Sequence, residues 1–129
     1  MNLTIRYRSA LGLPRISVTQ VLGVAGRIDD RWFSEEAAWR GSQVHALTEV
    51  FDRGEPLEIP PGLEGYLEAY ASFRAIVRPV YVSTELAVTS EALQVGGRID
   101  RVCSSLWGTP GILDFKTGDP SPWHAWQLA

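Results

Sequence analysis

The sequence predicts an α/β fold in which a mixed central β-sheet is flanked by α-helices. Two long segments in the first half of the chain have the capping residues and the apolar spacing of helices. The second half contains runs rich in Val, Ile, Leu and Tyr that are separated by short turn-forming stretches, which is typical of strands. We therefore expect helices packed on a sheet whose core includes an antiparallel hairpin.

The composition fits one globular domain over residues 1–129, because 45% of the residues are hydrophobic and the chain is long enough to bury a core. No apolar run is long enough to cross a membrane, and the amino terminus lacks a signal-peptide pattern, so we expect no membrane partner and a cytoplasmic location. Cys103 is the only cysteine, which excludes an intrachain disulfide and a four-cysteine iron–sulfur cluster. The formal net charge of −3, without a basic run, predicts that nonspecific binding of nucleic acid is weak.

Two short elements open the chain. Residues 3–8 alternate apolar and polar side chains, as a strand does. Ser17 then caps a short helix over residues 18–22, which ends near Gly23. We expect this helix to pack on the core.

The first long helix carries a histidine. Ser34 caps it, acidic residues occupy its first turn, and it runs over residues 35–53 before Gly54 ends it. Gly41 and His45 lie one turn apart on one face. A glycine within a helix costs about 1 kcal/mol relative to alanine, so we expect another backbone, or DNA, to approach closely here. The alternative interpretation of His45 is a side chain packed between helix and sheet.

A second helix begins at Pro60 and Pro61, because proline is favoured in the first turn of a helix. It should end before Pro79. Its apolar side chains form one stripe, which consists of Leu63, Tyr66, Leu67, Tyr70, Phe73 and Val77. The stripe predicts a core-facing surface and not a platform for stacking bases.

Residues 80–88 and 93–102 form two antiparallel strands that are joined by a turn over residues 89–92. Gly96 and Gly97 lie inside the returning strand. Glycines within a strand predict a bend, or a place where another group approaches the backbone closely.

The returning strand and a third strand form a hairpin that brings charged side chains together. The link over residues 104–111 is rich in Gly, Ser and Pro, and the third strand covers residues 112–118. Asp114 and Lys116 point to one face because they are two residues apart, and strand pairing brings Asp100 beside Asp114. Two neighbouring carboxylates repel unless a cation lies between them, so the pattern predicts a divalent metal site with a lysine beside it.

A last helix follows the hairpin. Ser121 is its predicted cap and Pro122 its first residue. The helix carries His124, which we expect at the surface, and Gln127.

These motifs resemble the core of the PD-(D/E)xK nuclease superfamily, and in particular its RecB-like exonuclease branch, which includes phage nucleases. The resemblance rests on Gly-Gly-Arg-Ile-Asp at 96–100, Ile-Leu-Asp-Phe-Lys-Thr-Gly at 112–118 and Gly-x-x-x-His at 41–45. Gln127 matches the start of a Gln-x-x-x-Tyr motif whose tyrosine would lie beyond Ala129, which predicts that the closing helix is incomplete. The resemblance implies a restriction-endonuclease-like core.

The resemblance also implies a site for Mg²⁺ or Mn²⁺, and one imidazole favours Mn²⁺. The implied ligands are His45, Asp100, Asp114 and the backbone carbonyl of Phe115. The implied catalytic groups are Lys116, Asp114, Asp100 and Gln127. Lys116 would orient or deprotonate the attacking water, and Gln127 would bind that water or the DNA backbone.

Four further residues are secondary candidates. Glu85 either lies near the metal or faces DNA, as in relatives, or is an exposed residue paired with Arg98 or Arg101. Arg40, Arg98 and Arg101 are candidate contacts to DNA phosphates.

The implied function is that of a metal-dependent DNA exonuclease in recombination, repair or phage DNA processing, acting on single- or double-stranded DNA in a bacterial or phage-infected cytosol. A recombination protein is a further candidate partner.

One alternative is a nuclease-like module that binds DNA or a protein without cutting. The complete set of His45, Asp100, Asp114 and Lys116 argues against it, whereas the missing end of the last motif argues for it. The other alternative is an interaction domain with coincidental motifs, which predicts no metal binding.

Overall fold

The structure is a computed structural model, and it describes residues 5–28 and 33–128. The helices are α1 (Val18–Val24), α2 (Glu35–Asp52), α3 (Glu64–Val77) and α4 (Pro122–Leu128). The strands are β1 (Tyr7–Arg8), β2 (Pro14–Ser17), β3 (Val80–Ser90), β4 (Val95–Leu106) and β5 (Thr109–Leu113). Only β1 represents the predicted strand over residues 3–8, of which residues 3 and 4 lie outside the described ranges.

The strands found in those two ranges form one mixed sheet in the order β1-β2-β4-β3, and β5 pairs with β4. β2 runs parallel to β4, with Ile16 opposite Val95, whereas β1 with β2 and β4 with β5 are antiparallel pairs. The prediction of an α/β fold with a mixed sheet and helices is therefore confirmed. In the described part of the chain, none of the helices combines the length and the hydropathy that crossing a bilayer requires.

The chain divides into two compact units. The first unit comprises Met1–Trp32, Glu85–Ile99 and Pro120–Ala129, and the second comprises Phe33–Thr84 and Asp100–Asp119. The second unit contains the helix that carries the Gly-x-x-x-His motif and the paired part of the β4–β5 hairpin, from Arg101 to Leu113.

In the first unit, a capping box begins α1. The Ser17 hydroxyl accepts the N–H of Gln20 at 3.0 Å, and the Gln20 side chain accepts the N–H of Ser17 at 2.8 Å. At Gly96 on β4, a Cβ atom would lie 2.4 Å from the Cβ atom of Tyr7. This contact confirms, at Gly96, the prediction that another group approaches the backbone closely.

His124 makes two hydrogen bonds with Ser121 at the start of α4, which also belongs to the first unit. α4 begins at Pro122, as the sequence predicts. The N–H of His124 donates to the Ser121 carbonyl at 3.0 Å, and the N–H of Ser121 donates to His124 Nδ1 at 3.3 Å. His124 therefore has a local structural role at the helix start.

In the second unit, α2 begins and ends where the sequence predicts. The Ser34 hydroxyl accepts the N–H of Ala37 at 3.0 Å, and Gly54 follows the helix with a φ of 67°. The buried core of this unit joins α2 to the segment that begins α3, and it consists of Val44, Leu47, Leu63 and Leu67.

α3 begins later than the two prolines predict. Gly62 has a φ of 89°, a left-handed conformation that a right-handed helix does not contain, so the helix starts only at Glu64. The predicted apolar stripe is buried at Leu63, Leu67 and Tyr70. α3 ends before Pro79 as expected.

The hairpin of β4 and β5 is tighter than the sequence predicts. β4 extends to Leu106 and β5 begins at Thr109, so most of the predicted link over residues 104–111 is strand. The turn consists of Trp107 and Gly108, whose φ values of 52° and 85° are those of a type I′ turn.

β5 also ends earlier than the predicted strand over residues 112–118. Its last residue is Leu113, so the Asp-x-Lys motif lies just beyond the strand. The physical reason is that the N–H of Phe115 donates to the Asp100 carboxylate at 2.7 Å and is no longer available to a backbone carbonyl of β4.

Candidate metal centre

Three residues from distant parts of the chain meet in the second unit. Nδ1 of His45 lies 3.5 Å from Oδ1 of Asp100, and Nε2 of the same ring lies 3.1 Å from the carbonyl oxygen of Phe115. The N–H of Phe115 donates to Oδ2 of Asp100 at 2.7 Å, which closes a ring of contacts among the three. We call this group the candidate centre. It contains three of the ligands that the family resemblance implies.

Strand register positions the aspartate. Arg101 lies opposite Leu113, the last residue of β5, in the antiparallel pair of β4 and β5, and Asp100 precedes Arg101 on β4. The position of Asp100 beside Asp114, which follows the last residue of β5, stays a prediction. Asp100 is only 5% exposed, and a buried carboxylate requires polar partners such as the imidazole and the Phe115 N–H.

The donor atoms of the candidate centre fit a hard divalent cation. A carboxylate oxygen, an imidazole nitrogen and a carbonyl oxygen are ligands that Mg²⁺ and Mn²⁺ accept. Neighbouring ligands of an octahedral ion, each about 2.1 Å from it, lie roughly 3 Å apart. The separation of 3.5 Å between His45 Nδ1 and Asp100 Oδ1 is close to that value. Because the two imidazole nitrogens face different oxygens, an ion would bind either Nδ1 together with Asp100 or Nε2 together with the Phe115 carbonyl.

The Asp-x-Lys side chains form an ion pair beside a cavity. Nζ of Lys116 lies 2.7 Å from Oδ2 of Asp114. Both residues line an open cavity of about 690 Å³ whose other walls include the rings of Tyr66, Tyr70, Phe73 and Phe115. Phe115 joins the two groups, because its backbone contacts His45 and Asp100 while the residue also borders the cavity.

A glycine lies one turn before the histidine on α2. A Cβ atom at Gly41 would lie 3.7 Å from the hydroxyl of Thr117, which is an ordinary contact. The close approach of another backbone that the sequence predicts is therefore not found among the described residues. An approach of DNA to Gly41 stays a prediction.

A buried polar network that the sequence analysis did not identify lies next to the candidate centre. The Arg101 side chain is fully buried. Its Nε donates to Oδ2 of Asp52 at 2.9 Å, its Nη1 to the Asp100 carbonyl at 2.7 Å and its Nη2 to the Thr48 hydroxyl at 3.3 Å. The signal in the sequence was the position of Thr48 and Asp52, which lie three and seven residues after His45 and so share its helix face.

Side chains beyond α2 surround the carboxylate of Asp52. The Tyr70 hydroxyl donates to it at 2.8 Å and lies 2.9 Å from the Tyr81 hydroxyl, while the Arg74 guanidinium pairs with the other carboxylate oxygen. Burial raises the pKa of Tyr70, and the hydrogen bonds to Tyr81 and Asp52 raise it further. The Tyr70 phenol therefore stays protonated and donates to Asp52.

The three arginines predicted to contact phosphate lie in different surroundings. The prediction is corrected for Arg101, because a fully buried guanidinium bonded to Asp52 has no surface to offer a phosphate. Arg40 is half-buried on α2, and its Nε has no hydrogen-bond partner among the residues that the structure describes. Arg98 is exposed in the first unit, with Nη1 3.8 Å from Oε2 of Glu85.

Glu85 and Gln127 also belong to the first unit. Glu85 is half-buried and has a φ of 51°, which is uncommon for a residue other than glycine. Gln127 is half-buried on α4. Their roles at a metal or on DNA stay predictions, and Ala129, after which the motif tyrosine would follow, lies outside the described residues.

Comparison with known proteins gives no relative from which a function could be transferred. No protein-family model, no curated protein and no solved structure matches this chain. The functional evidence therefore consists of the motifs in the sequence and the geometry of the second unit.

Proposed function

We propose that this protein is a metal-dependent nuclease that hydrolyses phosphodiester bonds of DNA. The observation that carries the proposal is the buried carboxylate of Asp100, which faces Nδ1 of His45 at 3.5 Å and accepts the N–H of Phe115 at 2.7 Å. A carboxylate oxygen and an imidazole nitrogen at this spacing suit a divalent cation, while the other ring nitrogen of His45 faces the Phe115 carbonyl. Mg²⁺ or Mn²⁺ is the proposed metal.

The residues after β5 provide the remaining chemistry. When bound, the cation would polarise the scissile phosphate and make a water molecule more acidic. Lys116 would orient the attacking water with its ammonium group and offset the negative charge that develops on the phosphate. Asp114, which pairs with Lys116 at 2.7 Å, would hold the ammonium in place and serve as a further carboxylate ligand.

The order of motifs along the chain supports a RecB-like exonuclease with a restriction-endonuclease-like core. A helix with the histidine comes first, a strand with Asp100 follows, and the Asp-x-Lys motif comes after the hairpin. Recombination, repair or phage DNA processing in the cytoplasm is the proposed setting, with a recombination protein as a further partner. Secondary site residues in this proposal are Gln127, Glu85, Arg40 and Arg98.

Calorimetric titration with Mn²⁺ tests the metal centre. We expect the parent protein to bind Mn²⁺ and Asp100→Asn to lose that binding. Glu58→Gln removes an exposed acid of the same unit and should bind as the parent does. Digestion of end-labelled DNA in the presence of Mn²⁺ then tests the reaction.

The outcomes separate the proposal from its rivals. A folded parent that binds no Mn²⁺ would contradict the metal centre. Mn²⁺ binding without any cleavage of DNA would contradict the nuclease and favour a module that binds DNA or a protein without cutting.

A further inference from the structure

One buried guanidinium is linked to all three residues of the candidate centre. Arg101 follows Asp100 in β4, and its Nη1 donates to the Asp100 carbonyl at 2.7 Å. Its Cζ lies 5.0 Å from the centroid of the Phe115 ring. Its Nη2 donates to the Thr48 hydroxyl at 3.3 Å, and that hydroxyl donates to the carbonyl of His45 at 2.9 Å. A continuous path of hydrogen bonds therefore connects the backbone of Asp100 to the backbone of His45.

The charge of Arg101 is compensated on the side of α2. Its Nε donates to Asp52, which lies two helical turns after His45 and also accepts hydrogen bonds from Tyr70 and Arg74. A fully buried guanidinium requires such a partner, because an unpaired buried charge is strongly destabilising. Arg101 is thus fixed to β4 by the chain and to α2 by two side chains of that helix.

We infer that Arg101 is a positioning residue, which acts together with Thr48 to set the distance between the His45 imidazole and the Asp100 carboxylate. The inference rests on the proposed metal centre. His45 and Asp100 come from separate elements, and a single ion holds both only if their separation stays near 3.5 Å. Hydrogen-bond partners just outside a ligand set commonly change metal affinity by about 10- to 100-fold.

A pair of substitutions at Thr48 isolates this path. Thr48→Val removes the hydroxyl with little change of volume, so the link from Arg101 to the His45 carbonyl is broken. Thr48→Ser keeps a hydroxyl and restores the link. We expect Thr48→Val to weaken Mn²⁺ binding in calorimetry about tenfold or more, and Thr48→Ser to bind nearly as the parent does.

A second pair separates positioning from stability. Arg101→Lys keeps the positive charge but gathers its donors on one nitrogen, so it cannot reach the separate partners that Nε, Nη1 and Nη2 of the guanidinium reach, and it should weaken Mn²⁺ binding like Thr48→Val. Leu67→Val destabilises the buried core of the same unit without touching the path. Thermal unfolding of each variant is followed by circular dichroism. The Mn²⁺ affinities of the variants are then compared at one temperature, at which all of them are folded.

A metal-free readout completes the test. The chain has two histidines, His45 and His124, and the variant His124→Gln assigns their ring signals in nuclear magnetic resonance. We expect Thr48→Val and Arg101→Lys to shift the imidazole ¹⁵N signals of His45 without metal, whereas Thr48→Ser and Leu67→Val leave them in place.

Failure of the inference is distinguishable from failure of the proposed function. If the parent binds Mn²⁺ and Thr48→Val and Arg101→Lys bind it equally well, the inference is overturned while the metal centre stands. If the parent binds no Mn²⁺, the metal centre fails, and unchanged His45 signals in Thr48→Val and Arg101→Lys overturn the positioning role as well.

Discussion

Nε2 of His45 lies 3.1 Å from the carbonyl oxygen of Phe115, a residue that follows it by 70 positions. The other nitrogen of the ring faces Asp100 at 3.5 Å. One imidazole thus connects a helix to the end of a hairpin, and it does so at the residue between the Asp and the Lys of the Asp-x-Lys motif. The side chain of His45 and the backbone of Phe115 must both be in place before the candidate centre exists.

Replacing the histidine should change which metal the protein prefers. We expect His45→Gln to bind Mn²⁺ at least about tenfold more weakly and to lose most of any preference for Mn²⁺ over Mg²⁺, because an imidazole nitrogen favours Mn²⁺. Calorimetry with both metals measures this. His124→Gln is the matched control. An unchanged Mn²⁺ affinity in His45→Gln would remove the histidine from the ligand set.

Lys116 and Asp114, the ion pair after β5, should have separable effects on DNA cleavage and on Mn²⁺ binding. Lys116→Met should reduce the rate of DNA cleavage about a hundredfold or more while Mn²⁺ affinity stays nearly intact, because the ammonium acts on the water and the phosphate. Asp114→Asn should weaken Mn²⁺ binding as well as cleavage. Digestion assays and calorimetry on both variants check this, and cleavage by Lys116→Met at the parent rate would refute the role of the lysine.

Stability should fall in alkaline solution because of a tyrosine. The pKa of Tyr70 is raised above its usual value of 10.0 by burial and by its bonds to Tyr81 and Asp52. Because its pKa is raised in the folded protein, the Tyr70 phenol loses its proton first in the unfolded chain. Its contribution to the free energy of unfolding is therefore fully present below about pH 10 and is lost as the pH rises above that value. Urea unfolding from about pH 8 to about pH 11 should show this decline. Tyr70→Phe should be less stable at neutral pH but less sensitive to alkali, and an identical slope in both proteins would contradict the assignment.

Gly41 should tolerate alanine within the fold. A Cβ atom there meets only the Thr117 hydroxyl at 3.7 Å, so Gly41→Ala should raise the free energy of unfolding by about 1 kcal/mol through helix propensity. If DNA passes close to this turn of α2, the same variant should cleave DNA more slowly. Denaturant unfolding and a digestion assay measure the two effects separately, and a loss of stability would show that the helix has no room there.

Gly96 should tolerate no side chain. A Cβ atom would lie 2.4 Å from Tyr7, so we expect Gly96→Ala to lower the free energy of unfolding by about 1–3 kcal/mol. The adjacent Gly97 is the matched control, because its nearest neighbour would be Val18 at 3.9 Å. Denaturant unfolding of both alanine variants gives the comparison, and equal stabilities would mean that Tyr7 moves aside at no cost.

Local signals in the sequence predicted most of the elements. Ser34 and Gly54 define the ends of α2 through capping and a left-handed glycine, and these effects depend only on adjacent residues. Runs rich in Val, Ile, Leu and Tyr likewise predicted β3 and β4. The antiparallel pairing of β4 with β5 also followed from the predicted hairpin, because strand register depends on short-range geometry.

The elements that the sequence did not predict depend on contacts between distant residues. β5 ends at Leu113 because the Phe115 N–H bonds a side chain 15 positions earlier. Arg101 was one of three arginines predicted to contact phosphate, but its partners Asp52 and Thr48 precede it by 49 and 53 positions. No local pattern identifies such partners, so the burial of Arg101 required the structure.

The adjacency of Asp100 and Arg101 has a consequence for folding fidelity. Both side chains are buried, they carry opposite charges, and neighbours on a strand point to opposite faces. If β4 slipped by one residue against β5, each would occupy the environment of the other, with the guanidinium away from Asp52 and the carboxylate away from His45. Both charges would then be buried without their partners, which is strongly destabilising. The pair therefore selects the native hairpin over its nearest misfolded alternative before any metal or substrate binds.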